Sequence, residues 1–226
     1  MGYVEVARAR SERGELVLRE RREDGRPAVL ELRVNGVYVM DSVQTSTERA
    51  LATAALAAVP APGDVLVGGL GLGFTARAVL DDPRVRSCTV VEIEPALVAW
   101  MRAGLVPGGP AMLADPRLHV HVADVVDAVG AAAPSSLDLV LLDVDNGPDQ
   151  LVHAANARLY DPPFLRVVRA CLRPAGCVVI WSAAESPGLA RALRAVFDEV
   201  RVTHEPVWLQ GRHEHYWLYL GTSRRP

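Results

Sequence analysis

Lysine is absent from this sequence, and all 24 of its basic residues are arginine. That absence excludes Schiff-base chemistry on a lysine and any lysine general base. Cysteine is scarce: Cys88, Cys171 and Cys177 are all there is, with no Cys-x-x-Cys. Each sits in an apolar run, which predicts buried free thiols. No apolar run reaches the roughly 20 residues needed to span a bilayer. The opening Met1-Gly2-Tyr3-Val4-Glu5-Val6 has no long apolar stretch behind a basic start, so it does not read as a signal peptide. The expectation is a soluble, cytoplasmic protein with no membrane partner. A strong charge of one sign is also lacking. The net charge is −3, and no nucleic-acid partner is expected. Arg8, Arg10, Arg13, Arg19, Arg21, Arg22 and Arg26 crowd the N-terminal third. They read as solvated faces of short strands rather than as a phosphate-binding strip.

Half of the 226 residues are hydrophobic, enough for one domain plus a small appendage. The first 45 residues differ from the rest. Alternation runs through Leu16-Val17-Leu18-Arg19-Glu20, Ala28 to Val34, and Val37-Tyr38-Val39-Met40, with turn signals at Glu23-Asp24-Gly25 and Asn35-Gly36. Asn-Gly between alternating runs is a strong hairpin signal. This predicts an antiparallel β-appendage over 1–45 and a second unit over 46–226. A helix over 47–59 follows, with Ser46 or Thr47 as its cap, and Pro60-Ala61-Pro62-Gly63 ends it. From Asp64 the pattern alternates. Strands are predicted near 64–68, 86–93, 117–122, 137–143, 176–182, 198–205 and 214–220. Helices are predicted near 74–81, 95–104, 124–131, 158–171 and 187–197. The fold class is therefore α/β, a doubly wound, mostly parallel seven-stranded sheet. The connection between the last two strands is too short for a helix, so the last strand is antiparallel.

Chemistry concentrates at predicted strand ends. Val65-Leu66-Val67 runs into Gly68-Gly69-Leu70-Gly71-Leu72-Gly73, where Gly69, Gly71 and Gly73 strip side chains from a turn before a helix. Cys88-Thr89-Val90-Val91 ends at Glu92, a carboxylate placed to accept from a ribose diol. Asp124, followed by Val125, comes after the third strand, and Asp143 ends the fourth. An NAD enzyme does not need acids at the last two places. A protein holding S-adenosylmethionine can use all of them: Glu92 for the ribose, Asp124 for the adenine amino group, Asp143 beside the sulfonium. Asp124 is also a natural helix cap. A structural salt bridge is the alternative for Asp143. His213-x-His215 and His119-x-His121 each pair two imidazoles without a third ligand, so no metal is expected. Tyr160 and Trp181 are candidate walls of a substrate pocket. Trp100, Trp208 and Trp217 are assigned to packing.

With these residues in place, the sequence resembles the spermidine synthase-like, or polyamine aminopropyltransferase-like, branch of the class I S-adenosylmethionine-dependent methyltransferase superfamily. Val65 to Leu80 resembles that branch's strand, glycine turn and helix. Val91-Glu92-Ile93-Glu94 resembles its Val-Glu-Ile-Asp element, and Leu137 to Asp143 its catalytic-aspartate strand. Leu172-Arg173-Pro174-Ala175-Gly176 resembles its Leu-Arg-Pro-Gly-Gly turn. The β-appendage with Gln44 and Glu48 is similar to its N-terminal hairpin unit. The sequence also departs from the family. Asn146 stands where the family's Asp-x-x-Asp loop has its second acid, and Leu72 where its glycine loop holds an acid. The family's tyrosine-histidine-glutamate segment is reduced to Ser46-Thr47-Glu48. The resemblance implies S-adenosylmethionine or its decarboxylated form as cofactor, a cationic amine as acceptor, and a homodimer. Asp143 is the expected catalytic group, orienting or deprotonating the amine. Gln44, Asp145, Asn146, Asp149, Tyr160 and Trp181 are the expected substrate contacts, with turn formation weighed evenly against contact for Asp145, Asn146 and Asp149, and core packing against it for Trp181. Loss of the second loop acid favours methyl transfer from intact S-adenosylmethionine. Aminopropyl transfer from the decarboxylated donor is the alternative. A catalytically silent nucleoside-binding protein is the reading from another class.

Overall fold

The structure is a computed structural model that describes residues 2–209 and 212–223, with side chains at all of these except 208, 209 and 212. Two sheets organise it. The first is antiparallel and has the order β1 (Gly2–Ser11), β2 (Gly14–Arg22), β3 (Val29–Val34), β4 (Val37–Asp41). Asn35 and Gly36 turn the β3–β4 hairpin with φ of 50° and 77°, which a two-residue primed turn requires. Arginines of this sheet pair with glutamates on the same or neighbouring strands. Arg19 and Arg21 both hold the buried Glu31, and Arg8 joins Glu5 and Glu15.

The chain then forms α1 (Ser46–Ala58), β5 (Asp64–Gly68), α2 (Phe74–Leu80), β6 (Ser87–Glu92), α3 (Pro95–Arg102), α4 (Gly109–Leu113), β7 (Leu118–Val122), α5 (Val125–Ala131) and β8 (Leu137–Leu142). A 3-10 turn (Ala154–Tyr160) leads to α6 (Pro162–Cys171), β9 (Leu172–Ser182), α7 (Pro187–Arg194), β10 (Glu199–Leu209) and β11 (Arg212–Thr222). The second sheet has the order β10-β11-β9-β8-β5-β6-β7, with β11 antiparallel to both of its neighbours. The α/β doubly wound expectation and the antiparallel last strand are both observed. Three expected details differ. Thr45, not Ser46 or Thr47, is the N-cap residue of α1, and no side chain caps it; the Thr47 hydroxyl turns instead to Glu48. Strand β1 and helix α4 were not expected from the sequence.

Alternate residues of the central strands feed two cores. Val65 and Val67 of β5, with Leu139 and Leu141 of β8, enter the core beneath α1, α2 and α3. Leu66, Val140 and Leu142 enter the opposite core with α5, α6 and α7. Burial on both faces is why these strands read as unbroken apolar runs. Leu16, Leu18, Leu30 and Leu32 of the N-terminal sheet join the first core. Cys88, Cys171 and Cys177 are buried and free, as the sequence predicts. Among the described residues, no helix is long and apolar enough to cross a membrane.

The sheet's direction of growth reverses between β5 and β8. From β5 the chain builds β6 and β7 on one side, then β8 and β9 on the other. Ligands of open α/β sheets bind in the crevice at such a reversal, outside the carboxyl ends of the strands. Gly69 and Asp143 sit at that crevice. The Asp143 amide donates to the Gly68 carbonyl at 2.9 Å. A Cβ on Gly69, whose φ is 93°, would lie 2.1 Å from the Asp143 carbonyl oxygen. The close approach of the two strand ends therefore demands glycine there.

In β9, Ala175 adopts φ of 64°, the left-handed region in which an L side chain is strained. Ala175→Gly removes that strain at some cost in unfolded-chain entropy, so a net gain of about 0.5–1 kcal/mol is expected. A thermal melt checks it: the midpoint rises by about 1–3 °C, and an unchanged or lower midpoint contradicts the strain.

Candidate active site

A cavity of about 560 Å³ opens over the carboxyl ends of the strands, within the range of small-molecule sites. It runs along the rim from β7 to β11. Asp124 and Val125 line it after β7. Glu92, Ile93 and Glu94 follow after β6, Gly69 and Gly71 after β5, and Asp143 to Asn146 after β8. Trp181 ends β9, and Glu214 and Tyr216 come from β11. The N-terminal sheet closes the cavity from above with Leu16, Leu32, Val34 and Val37 to Met40. Two contacts seat that wall. The Ser11 hydroxyl donates to Glu94 at 2.9 Å, and the Leu72 amide meets the Met40 sulfur at 3.3 Å.

Glu92 is buried at the tip of β6. Its Oε2 accepts from the Leu70 amide at 2.9 Å and its Oε1 from the Glu94 amide at 2.7 Å. One carboxylate thus fixes the glycine loop to the next strand and keeps lone pairs for a ligand. Burial pushes its pKa up, while the two amide donors pull it down. Asp124 caps α5 through the Val126 amide and pairs with Arg158, so the capping role read from the sequence is present beside its place in the cavity.

Asp143 faces the cavity at the tip of β8, and its Oδ2 accepts from the Thr75 hydroxyl of α2 at 2.5 Å. Burial raises its pKa. Asp145 has a different occupation. Its carboxylate accepts from the amides of Asn146, Val152 and His153 and from the Asn156 side chain. It ties the 144–156 loop together and has little capacity left for a substrate. Tyr160 is buried outside the cavity lining and donates to the Val144 carbonyl, so it holds the same loop from behind. Asp149 is exposed and lies off the cavity, as does Gly73, whose missing Cβ makes room for Met101 and Met112. Gln44 and Asn146 line the cavity.

Trp181 lines the cavity with an indole N–H that is buried and has no hydrogen-bond partner. A buried orphan donor is costly and marks this wall as a place for a ligand acceptor atom. The indole packs edge-on against Tyr216 with ring centroids 4.8 Å apart. The Trp208 side chain lies outside the described residues. Among the described residues, no three His, Cys, Asp or Glu side chains gather as a metal site.

Several cavity groups were not among the expected site residues, Glu48, Tyr38, Glu94, Glu214 and Tyr216 among them. Glu48 carried a usable signal. It lies one turn before Leu51 and Ala52 on the apolar stripe of α1, where an acid needs a reason. The structure buries it, with its Oε2 accepting from the Thr47 hydroxyl at 2.8 Å. Burial first, and the Asp143 charge second, push its pKa up to about 7. The Tyr216 phenol is pushed up to about 12 by burial and by Glu48. Seven carboxylates line the cavity: Glu48, Glu92, Glu94, Asp124, Asp143, Asp145 and Glu214. No arginine among the described residues does so.

Comparison with known proteins places this arrangement. A model of the spermine/spermidine synthase domain matches residues 44–203. The chain belongs to that family. It is 34% identical over 150 residues to polyamine aminopropyltransferase 2 of Pseudomonas aeruginosa, covering 62% of this chain and 41% of that protein. It is 32% identical over 131 residues to putrescine N-methyltransferase 3 of Nicotiana tabacum, covering 58% of this chain and 32% of that protein. It thus spans well under half the length of either relative. A crystal structure of a spermidine synthase in complex with the transition state analogue AdoDATO superposes with a TM-score of 0.82. That match covers 98% of this chain and 74% of the other at 17% identity, a likeness of fold.

Glu48 binds protons more tightly when folded. Its contribution to stability is present below about pH 4.5 and is lost as pH rises through about 7. Glu48→Gln is therefore expected to raise stability at pH 8 by about 3 kcal/mol relative to the parent and to leave pH 4 nearly unchanged. Urea unfolding at the two pH values checks this. Equal effects at both would place Glu48 in a solvated setting.

Proposed function

We propose that this protein transfers an aminopropyl group from decarboxylated S-adenosylmethionine to a small amine. The observation that carries the reading is the acid-lined cavity with no arginine among its described walls. Intact S-adenosylmethionine brings a carboxylate. In this cavity that carboxylate would meet Asp143 and a wall without an arginine as counter-ion, and an unpaired charge held from water is costly. The decarboxylated donor brings only positive groups, a sulfonium and an ammonium, and an amine acceptor adds another. Every charged reactant then suits the walls.

The sequence alone had placed methyl transfer first, because Asn146 replaces the second loop acid. The charge balance and the aminopropyltransferase relatives support reversing that order. Methyl transfer stays as the second reading because a putrescine N-methyltransferase is also a relative. In the favoured reading Glu92 accepts from the ribose, Asp124 from the adenine amino group, and the Gly69–Gly71 backbone passes under the nucleoside. The N-terminal wall excludes water. Holding donor and acceptor in register can supply roughly 7–11 kcal/mol of the barrier. Leu72, where relatives carry an acid, is buried and adds no charge.

Calorimetry with both donors tests the reading, together with mass analysis of the product formed from putrescine or a simple alkylamine. The decarboxylated donor is expected to bind at least tenfold more tightly, about 1.4 kcal/mol, and the product to gain an aminopropyl group. Tighter binding of intact S-adenosylmethionine with a methylated product would replace this function by the second one.

A further inference from the structure

The cavity holds a catalytic group that strand-end acids do not account for. Glu48 reaches the cavity from the first turn of α1, and Asp143 reaches it from the end of β8. Each carboxylate accepts one hydroxyl hydrogen bond, Glu48 from Thr47 and Asp143 from Thr75. Each therefore keeps lone pairs free. No ion pair neutralises either one among the described residues, whereas Asp64, Asp82, Asp115 and Asp124 each have an arginine beside them. The groups acting on Glu48 are named by the elements packed around it: Asp143 from β8, Asp41 from the end of β4, Thr47 from its own helix, and Tyr216 from β11. All of these are acidic or neutral.

We propose that Glu48 and Asp143 work as one proton-accepting pair, in which Glu48 takes the proton from the acceptor's ammonium and Asp143 holds the freed amine. The inference rests on the transfer reading above and deepens it. Position along the rim supports the division of labour. Asp143 stands at the crevice between β5 and β8, beside the glycine turn, whereas Glu48 enters from α1, where its charge acts on the Tyr216 phenol of β11. Two like charges held together from water favour one shared proton. An arriving ammonium relieves that repulsion, so the pair both attracts the acceptor and activates it. The raised proton affinity of Glu48 also suits a base working near neutral pH.

The step balances. The ammonium N–H bond breaks and its proton goes to Glu48. The freed nitrogen lone pair forms the new C–N bond while the C–S bond breaks, and the sulfur keeps that electron pair and becomes a neutral thioether. The product leaves as a secondary ammonium ion, and the Glu48 proton returns to water.

Two measurements on the full chain test the pair. The first is the pH profile of kcat and kcat/KM for the parent, Glu48→Gln and Glu48→Asp, with donor affinity followed by calorimetry. Glu48→Gln is expected to keep donor affinity within twofold and to lose at least 100-fold in kcat at pH 7.5. The loss should narrow as rising pH supplies free amine, and Glu48→Asp should recover part of the rate. The second is calorimetry of butylamine binding in two buffers of different ionisation enthalpy, which counts protons exchanged and needs no transfer. The parent and Glu48→Gln should differ in that count. A Glu48→Gln protein with parental kcat and pH profile overturns the pair and leaves the transfer reading standing. A parent that transfers nothing, yet shows the Glu48-dependent proton count, overturns the transfer reading and leaves the pair standing. Equal proton counts in parent and variant overturn the pair.

Discussion

Buried negative charge without a cation is the constraint around which this molecule is arranged. A carboxylate withdrawn from water needs compensation. Here backbone amides and hydroxyls supply most of it: Leu70 and Glu94 amides for Glu92, Thr75 for Asp143, Thr47 for Glu48. Such dipoles satisfy lone pairs but leave the charge unneutralised. An arginine in the same place would cancel it. Arginines instead serve carboxylates away from the cavity, as at the buried Glu31 of the N-terminal sheet and at Asp115 beside Arg117. The cavity keeps a negative field that a cationic ligand can answer.

The N-terminal sheet belongs to this arrangement. It shares a core with the central sheet through Leu16, Leu18, Leu30 and Leu32. It also touches the rim at two loops, Ser11 on Glu94 and Met40 on Leu72. Gly71 is part of the second contact, since a Cβ there would lie 2.6 Å from the Met40 sulfur. The glycine loop is thus shaped from two sides, by Asp143 beneath Gly69 and by Met40 above Gly71. A wall that presses on the loop also keeps water from the reacting groups, which strengthens every charge interaction inside.

Most of the α/β unit was legible because each central strand is buried on both faces and each helix on one. Those two patterns mark β5, β6, β8 and β9 without ambiguity. Strand β1 escaped because its alternation breaks at a bulge between Glu5 and Ala7, and α4 because five residues carry no period. Strand-end acids were legible for the same reason as the strands, since an acid that stops an apolar run stands out. Glu48 was legible as the glutamate kept from the family's tyrosine-histidine-glutamate segment and as an anomaly on a helix face. Tyr38 and Tyr216 gave no signal, because their role depends on packing between elements far apart in sequence. For Asp145 the sequence offered turn formation and substrate contact evenly, and the structure shows the loop-forming role. Its partners lie one to eleven residues further on, and only the folded loop brings their donors to one carboxylate.

That loop bears on how an acceptor is recognised. With Asp145 committed to Asn146, Val152, His153 and Asn156, and with Asp149 facing solvent, the segment after β8 offers Asp143 as its one acid with free lone pairs toward the cavity. In the proposed transfer, a second charged contact must then come from elsewhere in the fold. Glu48 supplies it from α1, an element that precedes the parallel sheet in sequence and crosses beside β8 and β9. In the proposed transfer, Glu48 can serve only if α1 is docked, and α1 is docked by the same Leu51, Ala52 and Ala55 face that carries Glu48 inward. Packing and charge are one constraint here: the helix face that builds the core is the face that carries the Glu48 carboxylate into the cavity.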